Sequence, residues 1–402
     1  MNYQYKTSED QFLYQQELID ESLKSDLPFS KLLEDAGLSY DNLIYKNSFS
    51  KTYPCRRPNT LDNILVPKHD IPVVSFFSGC GGLDLGFEAA SFYHVACFEI
   101  NELFCKTLRR NRPKWKIFGP PTQNGDVSDT DNISDILSQS ITTPFEGVFI
   151  GGPPCQPFSI AANQRFSKSG NNFKRIGFAH EKNGNLLFDY IKLIIYFKPK
   201  VFLIENVPGL YEIDNGKQLE HAIQILADAG YTVEKPLILD ASKYGIAQQR
   251  IRLFLVGSRR PTGFNIPEPC DFVVGCGNIL CTEKNLHLFP NSETRQHNAS
   301  SVKRYSQLNY GQRDHLGRVD RLDPSLPSKT VIAGGTSGGG RSHLHPEIPR
   351  TLSVRECARL QTFPDDYIFL GPTARQFTQV GNAVPPVLAG KIATSIYQSF
   401  YK

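Results

Sequence analysis

The sequence predicts an α/β fold built on a mostly parallel sheet, joined to a smaller, irregular second domain. Three observations carry that prediction. Short apolar runs, among them Val73-Val74-Ser75-Phe76-Phe77, Gly147-Val148-Phe149-Ile150 and Val201-Phe202-Leu203-Ile204, read as strands buried on both faces. Glycine or proline breakers follow these runs, and stretches of helical periodicity stand between them. From residue 258 to 350 the composition changes to more Pro, Gly, Ser and Asn, with no long helical run and with bases spread throughout.

Taken in order, Asp10 to Leu23 and Phe29 to Ile44 carry apolar positions at helical spacing. Leu32–Ser39, with Gly37 at its turn, has the look of a helix-turn-helix. The acidity of the segment favours a helical extension packed on the main domain over a DNA reader. Residues 46–70, with Pro54, Pro58 and Pro67, read as an extended connector. The core then begins at Ile71. Further elements are a strand from His94 to Ile100, helices at Asn185–Phe197 and Leu219–Ala229 (stopped by Gly230), a strand from Val233 to Leu239, and a final helix from Val387 to Tyr401. The expected domains are 1–70 (helical extension and connector), 71–257, 258–350, and 351–402 returning to the core.

Composition narrows the class of protein. At 402 residues, 40% hydrophobic and 21% charged, the chain suits a globular protein of two or three domains. No apolar run approaches the roughly 20 residues of a membrane span, and Met1–Lys31 lacks a signal arrangement, so a cytoplasmic location is expected. Nine cysteines without paired spacing fit a reducing compartment. No metal site is expected: there is no CxxC pair, Cys270, Cys276 and Cys281 are irregularly spaced, and His343-Leu344-His345 is too little alone. The net charge of +4 is unevenly spread. Residues 1–45 hold nine acids against three bases, 156–184 five bases against one acid, and 259–350 twelve bases against eight acids. Basic segments around the middle of the chain point to a polyanionic partner, with solvated loops as the bland alternative.

The chemistry centres on Gly151-Gly152-Pro153-Pro154-Cys155-Gln156-Pro157-Phe158-Ser159. Glycines and prolines end the preceding strand abruptly and leave Cys155 at its carboxyl end, where open α/β sheets gather ligands. A buried, inert cysteine is the alternative. Glu205 and Asn206 end the Val201 strand in the same way, before Val207-Pro208-Gly209. A thiol beside a hydrogen-bonding acid suits covalent catalysis on an electrophilic ring. Upstream, Phe77-Ser78-Gly79-Cys80-Gly81-Gly82-Leu83-Asp84 follows the first strand, with glycines that let backbone turn tightly and approach a ligand. Glu99, at the end of the second strand, is placed to accept hydrogen bonds from ribose hydroxyls. Arg250 and Arg252, one residue apart, are expected on one face of a strand.

These motifs resemble those of the cytosine-5 DNA methyltransferases, bacterial restriction-modification type, over Ile71 to Lys402. Phe77–Asp84 resembles the first motif, Gly125-Asp126-Val127 the third, Pro153-Pro154-Cys155-Gln156 the fourth and Glu205-Asn206-Val207 the sixth. Gln248-Gln249-Arg250-Ile251-Arg252 resembles the eighth, Leu352–Pro364 the ninth and Gln379–Pro386 the tenth. The resemblance implies the Rossmann-like fold of S-adenosylmethionine-dependent methyltransferases with a target-recognition domain at 258–350. S-adenosylmethionine would be held by Phe77 (flanking adenine), Gly79, Cys80, Gly82, Glu99, Asp126 (on the adenine amino group), Pro154, Asn382, Ala383 and Val384. Gln156, Ser159, Arg165, Thr330 and Arg341 would touch DNA. The 29-residue stretch Gln156–Gly184 corresponds to the loop that closes over DNA, although Asn183-Gly184 stands where many relatives carry Arg-Gly. Gly334–Arg341 is either a DNA-approaching loop or a flexible linker.

By the same resemblance the Cys155 thiolate adds to cytosine C6, Glu205 hydrogen-bonds N3, and Arg250 and Arg252 hold the ring. The implied partner is double-stranded DNA, read by a monomer that works beside a restriction endonuclease. Two competing readings are RNA cytosine-5 methylation on the same fold and a non-enzymatic DNA-binding regulator.

Overall fold

The computed structural model describes residues 7–25, 27–47, 52–154, 186–260, 263–282, 288–333 and 343–402. The chain divides into two compact units, neither of them contiguous. The larger comprises Thr60–Tyr244, Ile251–Pro269 and Ala383–Lys402; the smaller comprises Met1–Asn59, Gly245–Arg250 and Cys270–Asn382. This contact-based division groups residues 351–382 with the segment before them, and the N-terminal helices with both.

The larger unit is an eight-stranded sheet: β1 (Pro72–Phe76), β2 (Tyr93–Phe98), β3 (Ile117–Phe118), β4 (Val148–Gly151), β5 (Val201–Asn206), β6 (Thr232–Val233), β7 (Leu237–Asp240) and β8 (Ile251–Ser258). The order is β3-β2-β1-β4-β5-β8-β6, with β7 also on β8. The first five strands run parallel and β8 is antiparallel to its neighbours. The α/β, mostly parallel architecture expected from the apolar runs is therefore what the chain forms. Strand order reverses between β1 and β4, so the carboxyl ends of those two strands make the crevice where such sheets take ligands. The predicted strand Val233–Leu239 is two short strands, because Pro236 has no N–H to give the ladder.

Aromatic packing holds the crevice strands in place. Phe76 stacks on Phe98 (5.4 Å between centroids) and tilts against Phe149 (5.0 Å) and Tyr190 (4.9 Å). Tyr190 belongs to the helix Leu186–Phe197, whose apolar side covers the sheet. The closing helix Pro386–Phe400 starts with proline in its first turn, where a missing N–H costs nothing. It packs on the helix Gly82–Ala89, with Gly86 lying against Ala389 and Pro386.

In the smaller unit the N-terminal helices Ser8–Ser25 and Phe29–Asp35 share one apolar cluster with the helix Ala299–Tyr305. Leu18, Ile19, Phe29, Leu32, Leu33 and Val302 are among its buried members. No second helix follows Gly37, only a 3-10 turn over Tyr40–Asn42, so the helix-turn-helix outline is not formed. The extension packs on the helix Ala299–Tyr305 and is fastened by Arg350, which donates to Asp41 Oδ1 (2.7 Å) and to both carboxylate oxygens of Glu356. Glu356 closes a capping box with Ser353 at the start of the helix Val354–Leu360. A small sheet, β9 (Arg313–Asp314), β10 (Val319–Arg321) and β11 (His343–Leu344), lies in the same unit.

Candidate active site

The loop after β1 has the geometry that its glycines foretold. Phe77, Gly79 and Gly81 all take positive φ (55°, 58° and 85°), a conformation that glycine adopts freely and phenylalanine does not. Phe77 is held in it edge-on to Tyr190 at 6.2 Å. A Cβ on Gly82 would lie 2.8 Å from that of Ala383 and closer still to the Val384 carbonyl, so the turn and the 383–384 segment are in backbone contact. Cys80 is buried there, and burial pushes its thiol well above the usual range.

Glu99 follows β2 and faces back over this loop. Its Oε2 accepts from the Gly79 N–H at 2.7 Å and its Oε1 from the Asn101 N–H at 2.7 Å. Burial raises its pKa and the two backbone donors oppose that rise. Each carboxylate oxygen has a second lone pair, so the group can take a pair of hydroxyls without giving up the loop. Asp126 is half-buried and accepts at Oδ1 from the Ser128 N–H (3.0 Å) and hydroxyl (2.7 Å), which fixes its rotamer.

The carboxyl ends of β4 and β5 meet as predicted. Ile204 pairs with Gly151, and Asn206 Nδ2 reaches the Pro153 carbonyl at 3.4 Å. A Cβ on Gly152 would sit 2.8 Å from Glu205 Oε2, so the turn leading to Cys155 abuts the carboxylate. Pro154 is exposed at its tip. Glu205 is fixed from the other side by Arg252, Nε to Oε1 at 3.0 Å. The pairing of Glu205 with Phe254 makes Glu205 and Arg252 diagonal neighbours on one face of the β5/β8 ladder. Cys155, Gln156, Ser159 and Arg165, with the rest of the 156–184 stretch, lie outside the described residues, as does Arg341 with its glycine-rich loop.

Arg250 does not share the face of Arg252. Strand β8 begins only at Ile251, so the alternation argument does not reach Arg250. Its guanidinium is fully buried in the smaller unit, donating to the Val331 carbonyl (3.0 Å) and the Gly381 carbonyl (2.8 Å). Gln248, which opens the eighth motif but had no role assigned from the sequence, completes this arrangement: its Oε1 accepts from the Val331 N–H and its Nε2 donates to the Leu360 carbonyl. Thr330 gives its hydroxyl to the Gln249 carbonyl at 2.7 Å. Asn382 ends the helix Thr373–Asn382 in the smaller unit, while Ala383 and Val384 belong to the sheet unit. His343 and His345 are buried, their Nε2 atoms near the carbonyls of Thr330 and Leu280.

Among the described residues no helix is long and apolar enough to cross a membrane. The model of the C-5 cytosine-specific DNA methylase family matches residues 71–398. The chain is 31% identical over 369 residues to the Type II methyltransferase M.Eco47II of Escherichia coli, covering 83% of this chain and 81% of that one. It is 32% identical over 351 residues to M.NgoFVII of Neisseria gonorrhoeae, covering 82% and 87%. Among solved structures, a protein of an Escherichia coli prophage regarded as a DNA modification methyltransferase superposes with a TM-score of 0.67 at 24% identity, over 83% of this chain and all of that one. Entamoeba histolytica EhMeth superposes at 0.59 with 16% identity, over 82% and 99%. At those identities the structural likenesses speak to the fold. With a family match that begins at the core and runs almost to the C-terminus, the chain belongs to the C-5 cytosine-specific DNA methylases and is a DNA (cytosine-5) methyltransferase.

Proposed function

We propose that this enzyme methylates a cytosine flipped out of double-stranded DNA, through a covalent adduct with Cys155, as the modification half of a restriction-modification pair. The observation that carries the reading is the seat of Gly152 against the Glu205 carboxylate, three residues before Cys155, at the adjacent ends of β4 and β5.

The β1 crevice fits S-adenosylmethionine. Its left-handed glycines and the Gly82 contact leave backbone open to a ligand, Glu99 offers lone pairs toward ribose hydroxyls, and Asp126 offers a carboxylate toward an adenine amino group. Phe77 would flank the adenine, and Ala383 and Val384 would wall the amino-acid end. When bound, the cofactor supplies an electrophilic methyl on its sulfonium. The chain does the rest. The Cys155 thiolate forms a bond to C6, and Glu205 hydrogen-bonds the N3 edge, so electron density moves to C5. Arg252 keeps that carboxylate aimed. After transfer the C5 proton leaves and the Cys155–C6 bond breaks, which restores the ring. C6 is shielded inside a duplex, so the base must leave the stack first.

Residues 258–350 are assigned the reading of the target sequence, with Thr330 and Arg341 on the DNA and Arg165, Gln156 and Ser159 contributing from the loop after Cys155. The chain would act as a monomer. Target DNA carrying 5-fluorocytosine tests the mechanism, because fluorine cannot leave as the proton does. A denaturation-resistant adduct mapping to Cys155 is expected. A complex that dissociates on denaturation, or Cys155→Ser with wild-type turnover, overturns the covalent assignment. Bisulfite sequencing of a co-expressed plasmid reports the methylated site.

A further inference from the structure

Behind the cofactor loop, Asp84 is fully buried on the helix Gly82–Ala89, and among the described residues its Oδ2 has no hydrogen-bond donor. Two side chains of β2 face it. His94 Nε2 stands 3.2 Å from Asp84 Oδ1, and Cys97 Sγ stands 3.8 Å from the same oxygen. Both the His94 and Asp84 side chains are wholly inaccessible to solvent. Neither imidazole nitrogen makes a hydrogen bond of acceptable geometry among the described residues. The ring is held instead by Trp115, stacked 4.0 Å away.

A carboxylate and an imidazole gathered out of water, with Asp84 Oδ2 and both imidazole nitrogens unsatisfied among the described residues, are costly unless something compensates them. Cys97 Sγ donates to Asp84 Oδ1, but the imidazole beside it is left without a hydrogen bond of its own among the described residues. A metal ligated by Asp84, His94 and Cys97 would pair all three side chains. With bonds of about 2.0 Å to O and N and about 2.3 Å to S, tetrahedral ligands lie about 3.3 Å (O to N) and about 3.5 Å (O to S) apart. The 3.2 and 3.8 Å separations are close to those values, and one ligand atom from each residue falls within 4.8 Å of the other two. A mixed set of sulfur, imidazole nitrogen and carboxylate oxygen suits zinc.

We propose that Asp84, His94 and Cys97 supply three ligands of a buried site for a single zinc-class divalent cation, with the fourth position left to a non-protein ligand. Binding converts the Cys97 thiol to a metal-bound thiolate and releases its proton to solvent. The site has no part in methyl transfer. It ties the helix behind the glycine loop to β2, the strand that carries Glu99 at its end, so the cation would brace both walls of the crevice.

The test is metal content of the full-length enzyme purified without metal-affinity resin or chelator. Elemental analysis should find one zinc per chain in the wild type, none in His94→Gln and Cys97→Ser, and an undiminished content in Cys270→Ser. Cobalt added to metal-stripped wild type should give a thiolate-to-metal charge-transfer band that Cys97→Ser lacks, and zinc should raise the melting temperature of stripped wild type alone. Wild type that carries no stoichiometric metal and shows no cobalt band overturns the site and leaves an Asp84–His94 ion pair. Equal zinc in wild type, His94→Gln and Cys97→Ser overturns it as well, by placing the metal elsewhere. The wild-type measurements stand even if a variant fails to fold.

Discussion

Arg252 Nε and Glu205 Oε1 lie 3.0 Å apart, with only 15% and 13% of the two side chains exposed. At that burial the pair is more than a surface ion pair, because desolvation strengthens the attraction while making either partner expensive to leave alone. Its geometry comes from sheet register, which fixes the carboxylate's direction before any substrate arrives.

Replacing Glu205 by Gln keeps the shape and removes the charge. Turnover should fall by about 10²–10⁴-fold, as expected for loss of a positioned acid, while S-adenosylmethionine affinity by calorimetry stays near that of wild type. Weakened cofactor binding with unchanged turnover at saturating cofactor would assign Glu205 to the cofactor seat instead.

Gly152→Ala introduces a Cβ that would stand 2.8 Å from Glu205 Oε2. Arg252 holds the carboxylate, so the loop must yield, and a displacement near 1 Å at the reacting groups costs on the order of 10²-fold in rate. Single-turnover methylation should show that loss while the melting temperature hardly moves.

The two arginines of the eighth motif should separate by readout. Arg250→Met removes two charge-assisted hydrogen bonds to buried carbonyls, a loss on the order of 3 kcal/mol, and should show first in the melting curve. Arg252→Gln removes the ion pair with Glu205 and should show first in the rate, measured well below the melting temperature.

His345 makes stability pH-dependent. Its Nδ1 accepts from the N–H groups of Glu347 and Ile348, and burial pushes its pKa from 6.5 down to about 4. The folded value is depressed, so the unfolded chain protonates first as pH falls. The stabilisation is complete above pH 6.5 and is lost on descent toward about 4, amounting to about 3 kcal/mol. Urea unfolding across that window should show the slope in wild type and a flattened one in His345→Asn. Equal slopes would place the titrating group elsewhere.

Much of the sheet unit was legible because its signals are local. Apolar runs gave the strands, breakers gave their carboxyl ends, and the glycine spacing gave the left-handed turn at 77–82. Glu99, Glu205 and Arg252 followed from being at strand ends or within a strand. What escaped depends on partners far away in sequence. Arg250 looked like a member of the strand, but its carbonyl acceptors are 81 and 131 residues away, and no periodicity reports them. The role of Gln248 escaped for the same reason, its partners Val331 and Leu360 being equally remote. The N-terminal helices were legible as helices, yet their seat on Ala299 and Val302 was not, since an amphipathic stripe says that a face is buried and not against what. Asp84, His94 and Cys97 lack any metal-motif spacing, and only the pairing of β1 with β2 brings helix and strand residues together.

The contact between Gly82 and the Ala383–Val384 segment joins two stretches that are far apart in the chain. The glycine turn therefore acquires its wall only when the segment leading into the helix Pro386–Phe400 has docked beside it, so the turn cannot be completed by local folding. A cut or a destabilising change in this late segment should loosen a loop that lies remote from it in sequence.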